Sequence, residues 1–177
     1  MTDERQQAGR LWQVLPTGLR PLDGDCLAPF PGLRIDYERR IGSIADVRSI
    51  RRELGQRCLA MGYPPRLVWR IRVAVNEVAT NALVYAGGGT CRVRWDEAGM
   101  YVWIADNRAG LDVEGVHRLL KGPRRRGSWK GHGLRIASSY ADSVVLATGE
   151  KGTQLLLYFR ASQGGGYCYG ACHPAGA

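Results

Sequence analysis

The clearest periodic pattern in the chain runs from Pro65 to Ala86. Apolar residues Ile71, Ala74, Val75, Val78, Ala79, Ala82 and Ala86 recur at i, i+3, i+4, i+7, i+8, i+11 and i+15, which is one face of a helix. Pro65 suits a first helical turn, where a missing N–H costs nothing, and Gly87 to Gly89 stop the pattern. An earlier helix is predicted from Ser43-Ile44-Ala45-Asp46, an N-cap signature. Val47, Ile50, Leu54, Cys58 and Met61 follow at helical spacing before Gly62.

Alternation marks the strands. Leu33, Ile35, Tyr37 and Arg39 alternate with Arg34, Asp36, Glu38 and Arg40; Cys91, Val93 and Trp95 alternate with Arg92 and Arg94; Met100, Val102 and Ile104 alternate with Tyr101 and Trp103. Ser143 to Thr148 and Thr153 to Phe159 read as a closing hairpin around Gly149-Glu150-Lys151-Gly152. Val113 to Leu120 reads as a short helix, and so does the segment from Leu134 to Ala141 that opens at Gly131-His132-Gly133. The order strand, helix, helix, hairpin, loop, helix, hairpin predicts an α+β fold, a two-layer sandwich with helices on one face of a mixed, mainly antiparallel sheet.

The chain of 177 residues fits one domain with tails. Residues 1–32 carry Pro16, Pro21, Pro29 and Pro31 with little periodicity and predict an irregular leader. Residues 33–160 form the domain, and 161–177 read as a Gly-rich, disordered tail. No apolar run is long enough to span a membrane and the N-terminus lacks the apolar core of a signal peptide, so the expectation is cytoplasmic. Five scattered cysteines suit reduced thiols. Cys168 and Cys172 with His173 would lack a fourth ligand for zinc.

Net charge is +9, and its placement matters more than its size. Between Gly115 and Ala141 there is no acidic residue, while Arg118, Lys121, Arg124, Arg125, Arg126, Lys130 and Arg135 are all basic. Such a run can serve as a solvated loop or bind nucleic acid non-specifically. Apart from Trp129 it lacks the interleaved aromatics of a nucleic-acid stacking platform, which weighs against nucleic acid.

Candidate chemistry begins at Asn76-Glu77-Val78-Ala79-Thr80-Asn81-Ala82. Glu77 and Asn81 are four apart on the predicted helix, so they point the same way about one turn from each other, at the flank of the apolar stripe. An amide oxygen such as that of Asn81 is a suitable hard ligand for magnesium beside triphosphate oxygens. A carboxylate one turn away can deprotonate an attacking hydroxyl. Asp106 follows directly on a predicted strand and can accept from an exocyclic amine. Gly131-His132-Gly133 opens a helix, whose free N–H groups and dipole suit a phosphate. Each feature alone is common in ordinary structure. Together, in this order within roughly sixty residues, they point to a nucleotide site.

This order resembles the ATP-binding fold shared by gyrase, Hsp90, histidine kinases and MutL (GHKL). Within that fold it is similar to the compact bacterial serine kinases that act as anti-sigma factors, and to the related switch kinases. The resemblance covers roughly Arg34 to Phe159. Glu77 and Asn81 match the first box, Asp106 and Gly110 the Asp-x-Gly-x-Gly box, Gly131 and Gly133 the Gly-x-Gly box, and Gly152-Thr153 the final Gly-Thr. Tyr85-Ala86-Gly87-Gly88-Gly89 resembles the switch kinases, where anti-sigma kinases carry His-Ala. Arg108 departs from the pattern, standing where the family has the first glycine of the Asp box.

The resemblance implies an ATP- and magnesium-dependent serine/threonine-protein kinase. Glu77 would be the general base and Asn81 the magnesium ligand. Asp106 would read adenine, Gly110, Gly131 and Gly133 would admit the nucleotide, and Lys130 would neutralise phosphate. Thr153 would complete the ATP site, and the basic run would be a lid. The implied partner is a STAS-domain anti-anti-sigma protein, with a sigma factor or a PP2C-type phosphatase second and homodimerisation as in the anti-sigma kinases. The same fold could also act as a partner-binding module that holds nucleotide weakly or not at all. Arg108 is expected to place its guanidinium outward, with ATP binding retained but weakened.

Overall fold

The computed structural model describes residues 10–15, 18–22, 34–106, 108, 133–149 and 152–161. Along the chain these form β1 (Arg10–Leu15), β2 (Gly18–Leu22), β3 (Tyr37–Ile41), α1 (Ile44–Ala60), α2 (Pro65–Ala86), β4 (Gly89–Trp95), β5 (Gly99–Ala105), α3 (Gly133–Tyr140), β6 (Ser143–Gly149) and β7 (Gly152–Arg160).

Local chemistry sets the helix ends. The Ser43 Oγ accepts the Asp46 N–H at 3.2 Å, while Asp46 Oδ2 accepts from the Gly42 N–H and the Ser43 hydroxyl. This reciprocal cap satisfies donors that the first turn leaves open. Pro65 occupies the first position of α2, and Gly87 ends the helix in the left-handed conformation with φ +74°. There the Gly87 and Gly88 N–H groups bond the carbonyls of Leu83 and Ala82.

The strands form a seven-stranded sheet in the order β2-β1-β6-β7-β5-β4-β3, and every described pairing is antiparallel. Register places Tyr37, Val93, Val102, Leu157 and Val144 in one row across five strands. All five are buried, and they share one core cluster with Val47, Ile50 and Leu54 of α1, Ile71, Val75 and Val78 of α2, and Leu134 and Ala137 of α3. The helices therefore cover one face of the sheet, the α+β architecture that the alternating and helical patterns predict. Burying each of these side chains contributes about 1.5–3 kcal/mol, which outweighs weak local propensity.

One expectation needs correcting. Residues 10–22 of the leader expected to be irregular hold the β1–β2 hairpin, and β1 pairs with β6 from Arg10↔Thr148 to Val14↔Val144. Pro21 reads as a breaker in the sequence, yet β2 is an edge strand, the place in a sheet where proline is accommodated. The short helix expected at Val113–Leu120, the basic run as far as Lys130 and the tail after Ala161 lie outside the described residues. Among the described residues no helix is long and apolar enough to cross a membrane.

Candidate nucleotide site

The candidate residues lie on α2 and the start of α3, which pack together, and at the paired ends of β5 and β7, of which β5 also packs against α2. Glu77 and Asn81 are half-buried on the flank of α2 beside its buried stripe. Arg70, seven residues before Glu77, shares that flank. Its Nε donates to the Tyr140 carbonyl at 2.9 Å and its Nη2 pairs with Asp142 at 2.9 Å. These bonds pin the C-terminal end of α3 against the first half of α2. With its last turn fixed there, α3 runs antiparallel to α2 and brings its first residue to Glu77 and Asn81.

That first residue is Gly133, and the fit is close. A Cβ on Gly133 would lie 2.8 Å from Asn81 Nδ2, 3.2 Å from Asn81 Oδ1 and 3.2 Å from Glu77 Oε2. A side chain at this position would have to turn aside the ends of Asn81 and Glu77, and glycine leaves them in place. Among the described residues, neither Glu77 nor Asn81 has a hydrogen-bond or ion-pair partner. A carboxylate and a carboxamide without a partner among the described residues thus lie beside the N-terminus of α3, whose leading N–H groups and positive dipole end suit an anion.

Asp106 follows the end of β5, and the Arg108 side chain two residues on reaches the C-terminal end of α2 at Tyr85. The Asp106 N–H donates to the Thr153 carbonyl at 2.9 Å, and Asp106 Oδ1 accepts from the Thr153 N–H at 3.0 Å and the Arg108 N–H at 3.3 Å. Gly152 makes this pairing fit: its φ is +126°, and a Cβ there would sit 2.2 Å from the Asp106 carbonyl oxygen. Asp106 Oδ1 is held by two backbone N–H groups, while Oδ2 takes no hydrogen bond from any described residue. Burial pushes the Asp106 carboxyl above the usual aspartate range, opposed by the N–H groups of Thr153 and Arg108.

Residues 42–159, more than half of the chain, match the family model of the histidine kinase-like ATPase domain. The chain belongs to that family. A search of curated proteins finds no match.

In a histidine kinase-like ATPase domain, ATP is the expected ligand, and the described side chains suit it. The free amide of Asn81 lies beside a helix N-terminus, and an open carboxylate oxygen on Asp106 faces the role of accepting an amine. Among the described residues no group of three or more His, Cys, Asp or Glu is placed to hold a metal ion alone. Magnesium here would depend on Asn81 together with the phosphates it accompanies.

Of the residues singled out in the sequence, Glu77, Asn81 and Gly133 come together, and Asp106 pairs with Thr153. Thr153 acts through its backbone as the partner that fixes Asp106. Gly110, Lys130 and Gly131 lie outside the described residues. Arg108 is exposed, in line with the outward placement expected, but its guanidinium is engaged: Nη1 donates to the Tyr85 carbonyl at 3.1 Å. Sequence reasoning missed Arg70. Its signal was available, since a seven-residue step from Glu77 falls on the same helix flank.

Proposed function

We propose that this histidine kinase-like ATPase domain is a regulatory serine/threonine-protein kinase that phosphorylates a STAS-type anti-anti-sigma partner and so controls a sigma factor by partner switching. The observation that carries the reading is the close approach of Gly133 to Glu77 and Asn81. It puts an unpartnered carboxylate beside the helix N-terminus at which a terminal phosphate would sit.

ATP, bound with magnesium, supplies the phosphoryl group. Asp106 Oδ2 accepts from the exocyclic amine of the base, which selects adenine over a ring bearing a carbonyl at that position. Asn81 Oδ1 would be the protein ligand to the metal, which would offset phosphate charge, and the first N–H groups of α3 would hold the phosphates. Glu77 would take the proton of the partner's serine hydroxyl as its oxygen bonds to the terminal phosphorus and ADP leaves, which fits a half-buried carboxylate with no ion pair among the described residues. On sequence position alone, Gly110 and Gly131 give the nucleotide clearance, and Lys130 with the neighbouring arginines offsets phosphate charge.

A second reading keeps the fold and the partners but not the nucleotide. Arg108 favours it, since a long side chain stands where the family has glycine. The bond from its guanidinium to the Tyr85 carbonyl weighs the other way, because it leaves Asp106 Oδ2 open. Calorimetric titration with Mg-ATP separates the two readings. Saturable binding that is lost in Asn81→Ala supports the kinase, and no heat from the wild-type chain supports the module. Phosphate transfer from ATP to a STAS domain is the further test of the substrate class.

A further inference from the structure

Arg108 does more than avoid the pocket. The Tyr85 carbonyl belongs to the last turn of α2, where carbonyls lack an intrahelical donor. Gly87 and Gly88 satisfy Leu83 and Ala82, and the Arg108 guanidinium supplies a charged donor to Tyr85 at the negative end of the helix. Through its own N–H the same residue holds Asp106 Oδ1. One residue therefore bonds two elements that carry candidate site residues: the helix that holds Asn81 four residues before Tyr85, and the carboxylate that follows β5.

Resting on the nucleotide reading above, we propose that Arg108 is a positioning residue for base recognition, tying the turn after Asp106 to the end of α2 so that the free Asp106 oxygen faces the base edge. Arg108 acts through Asp106 and not on the phosphates. Its loss degrades the choice of base and leaves triphosphate binding intact. This replaces the simpler view that a side chain at this position only obstructs ATP.

The test compares wild type, Arg108→Ala and Arg108→Lys by calorimetry with Mg-ATP, Mg-GTP and magnesium tripolyphosphate. In Arg108→Ala the preference for ATP over GTP should fall about 3- to 10-fold, the range of one net hydrogen bond, with tripolyphosphate affinity unchanged. Arg108→Lys should restore part of the preference, since its ammonium retains a donor for Tyr85. An equal loss for ATP and tripolyphosphate would overturn the proposal by making Arg108 a phosphate ligand, and an unchanged preference would make it an idle surface residue. Amide hydrogen exchange at Thr153 in ligand-free protein gives an independent readout, because that N–H is held by Asp106 Oδ1. Faster exchange in Arg108→Ala than in Arg108→Lys supports the tie even if no nucleotide binds to any variant, and equal exchange in all three refutes it.

Discussion

Replacing Gly133 with alanine probes the contact on which the site depends. The new Cβ would meet Asn81 Nδ2 at 2.8 Å and two further oxygens at 3.2 Å. Carbon and nitrogen prefer roughly 3.5 Å or more, so about 0.7 Å must be absorbed by Asn81 or by the start of α3. The helix has little freedom, since Arg70 pins its far end and Leu134 and Ala137 are buried in the core. Asn81 is therefore the group that moves. Turning aside the end of a half-buried side chain costs less than overpacking a core, about 1 kcal/mol or below, and in a chain this long each kcal/mol lowers Tm by about 2–4 °C. Displacing a ligand amide by several tenths of an ångström should weaken Mg-ATP by about 10- to 100-fold, given how steeply positioning enters. Thermal melting followed by circular dichroism and calorimetric titration read the two effects separately. A double-mutant cycle locates the cause: in an Asn81→Ala background the Gly133→Ala substitution should lose most of its cost in stability, since the clashing amide is gone. Wild-type Tm and affinity in Gly133→Ala, or full additivity in the cycle, would refute the close-approach argument.

Other expectations follow from the same geometry. Glu77→Gln should keep nucleotide affinity within a few-fold while phosphotransfer to a STAS partner falls about 10²-fold, and unchanged transfer would remove Glu77 from the mechanism. Asn81→Ala should lose magnesium-dependent nucleotide binding, read by titration with and without the metal. Arg70→Ala should lower stability by about 1–2 kcal/mol, since it strips a carbonyl bond and a half-exposed ion pair from the end of α3. An unaltered melting curve would show that α3 is held by its apolar face alone. Asp106 gives a pH signature. Because burial raises its folded pKa above the ordinary 3.8, the folded chain binds the proton more tightly than the unfolded one. Asp106 therefore makes stability fall as pH rises from about the unfolded value through the folded one. Adenosine binding, which needs the ionised oxygen, should strengthen over that same interval, and Asp106→Asn should flatten both profiles.

Much of this protein is legible in one dimension. Helix ends are set by neighbours along the chain, so Ser43 with Asp46, Pro65 and Gly87 announce them correctly. Periods of 2 and 3.6 depend only on backbone geometry, so the core faces of α1, α2, β4 and β5 follow from residue order. Glu77 and Asn81 sit within one turn, and their shared direction needs no tertiary information. Other features depend on which distant segments meet. Pro21 in an edge strand is tolerated because of where β2 lies in the sheet, and a proline by itself reads as a breaker. The link between Gly133 and Asn81, more than fifty residues apart, exists because Arg70 anchors α3 along α2. Thr153 reads as a ligand residue in sequence, but the pairing of β5 with β7 makes its backbone the clamp on Asp106. Arg108 shows the difference most plainly. Its charge and its departure from the glycine pattern are written in the sequence, while the carbonyl that engages it is created only by folding, at the open end of a helix that finishes more than twenty residues earlier.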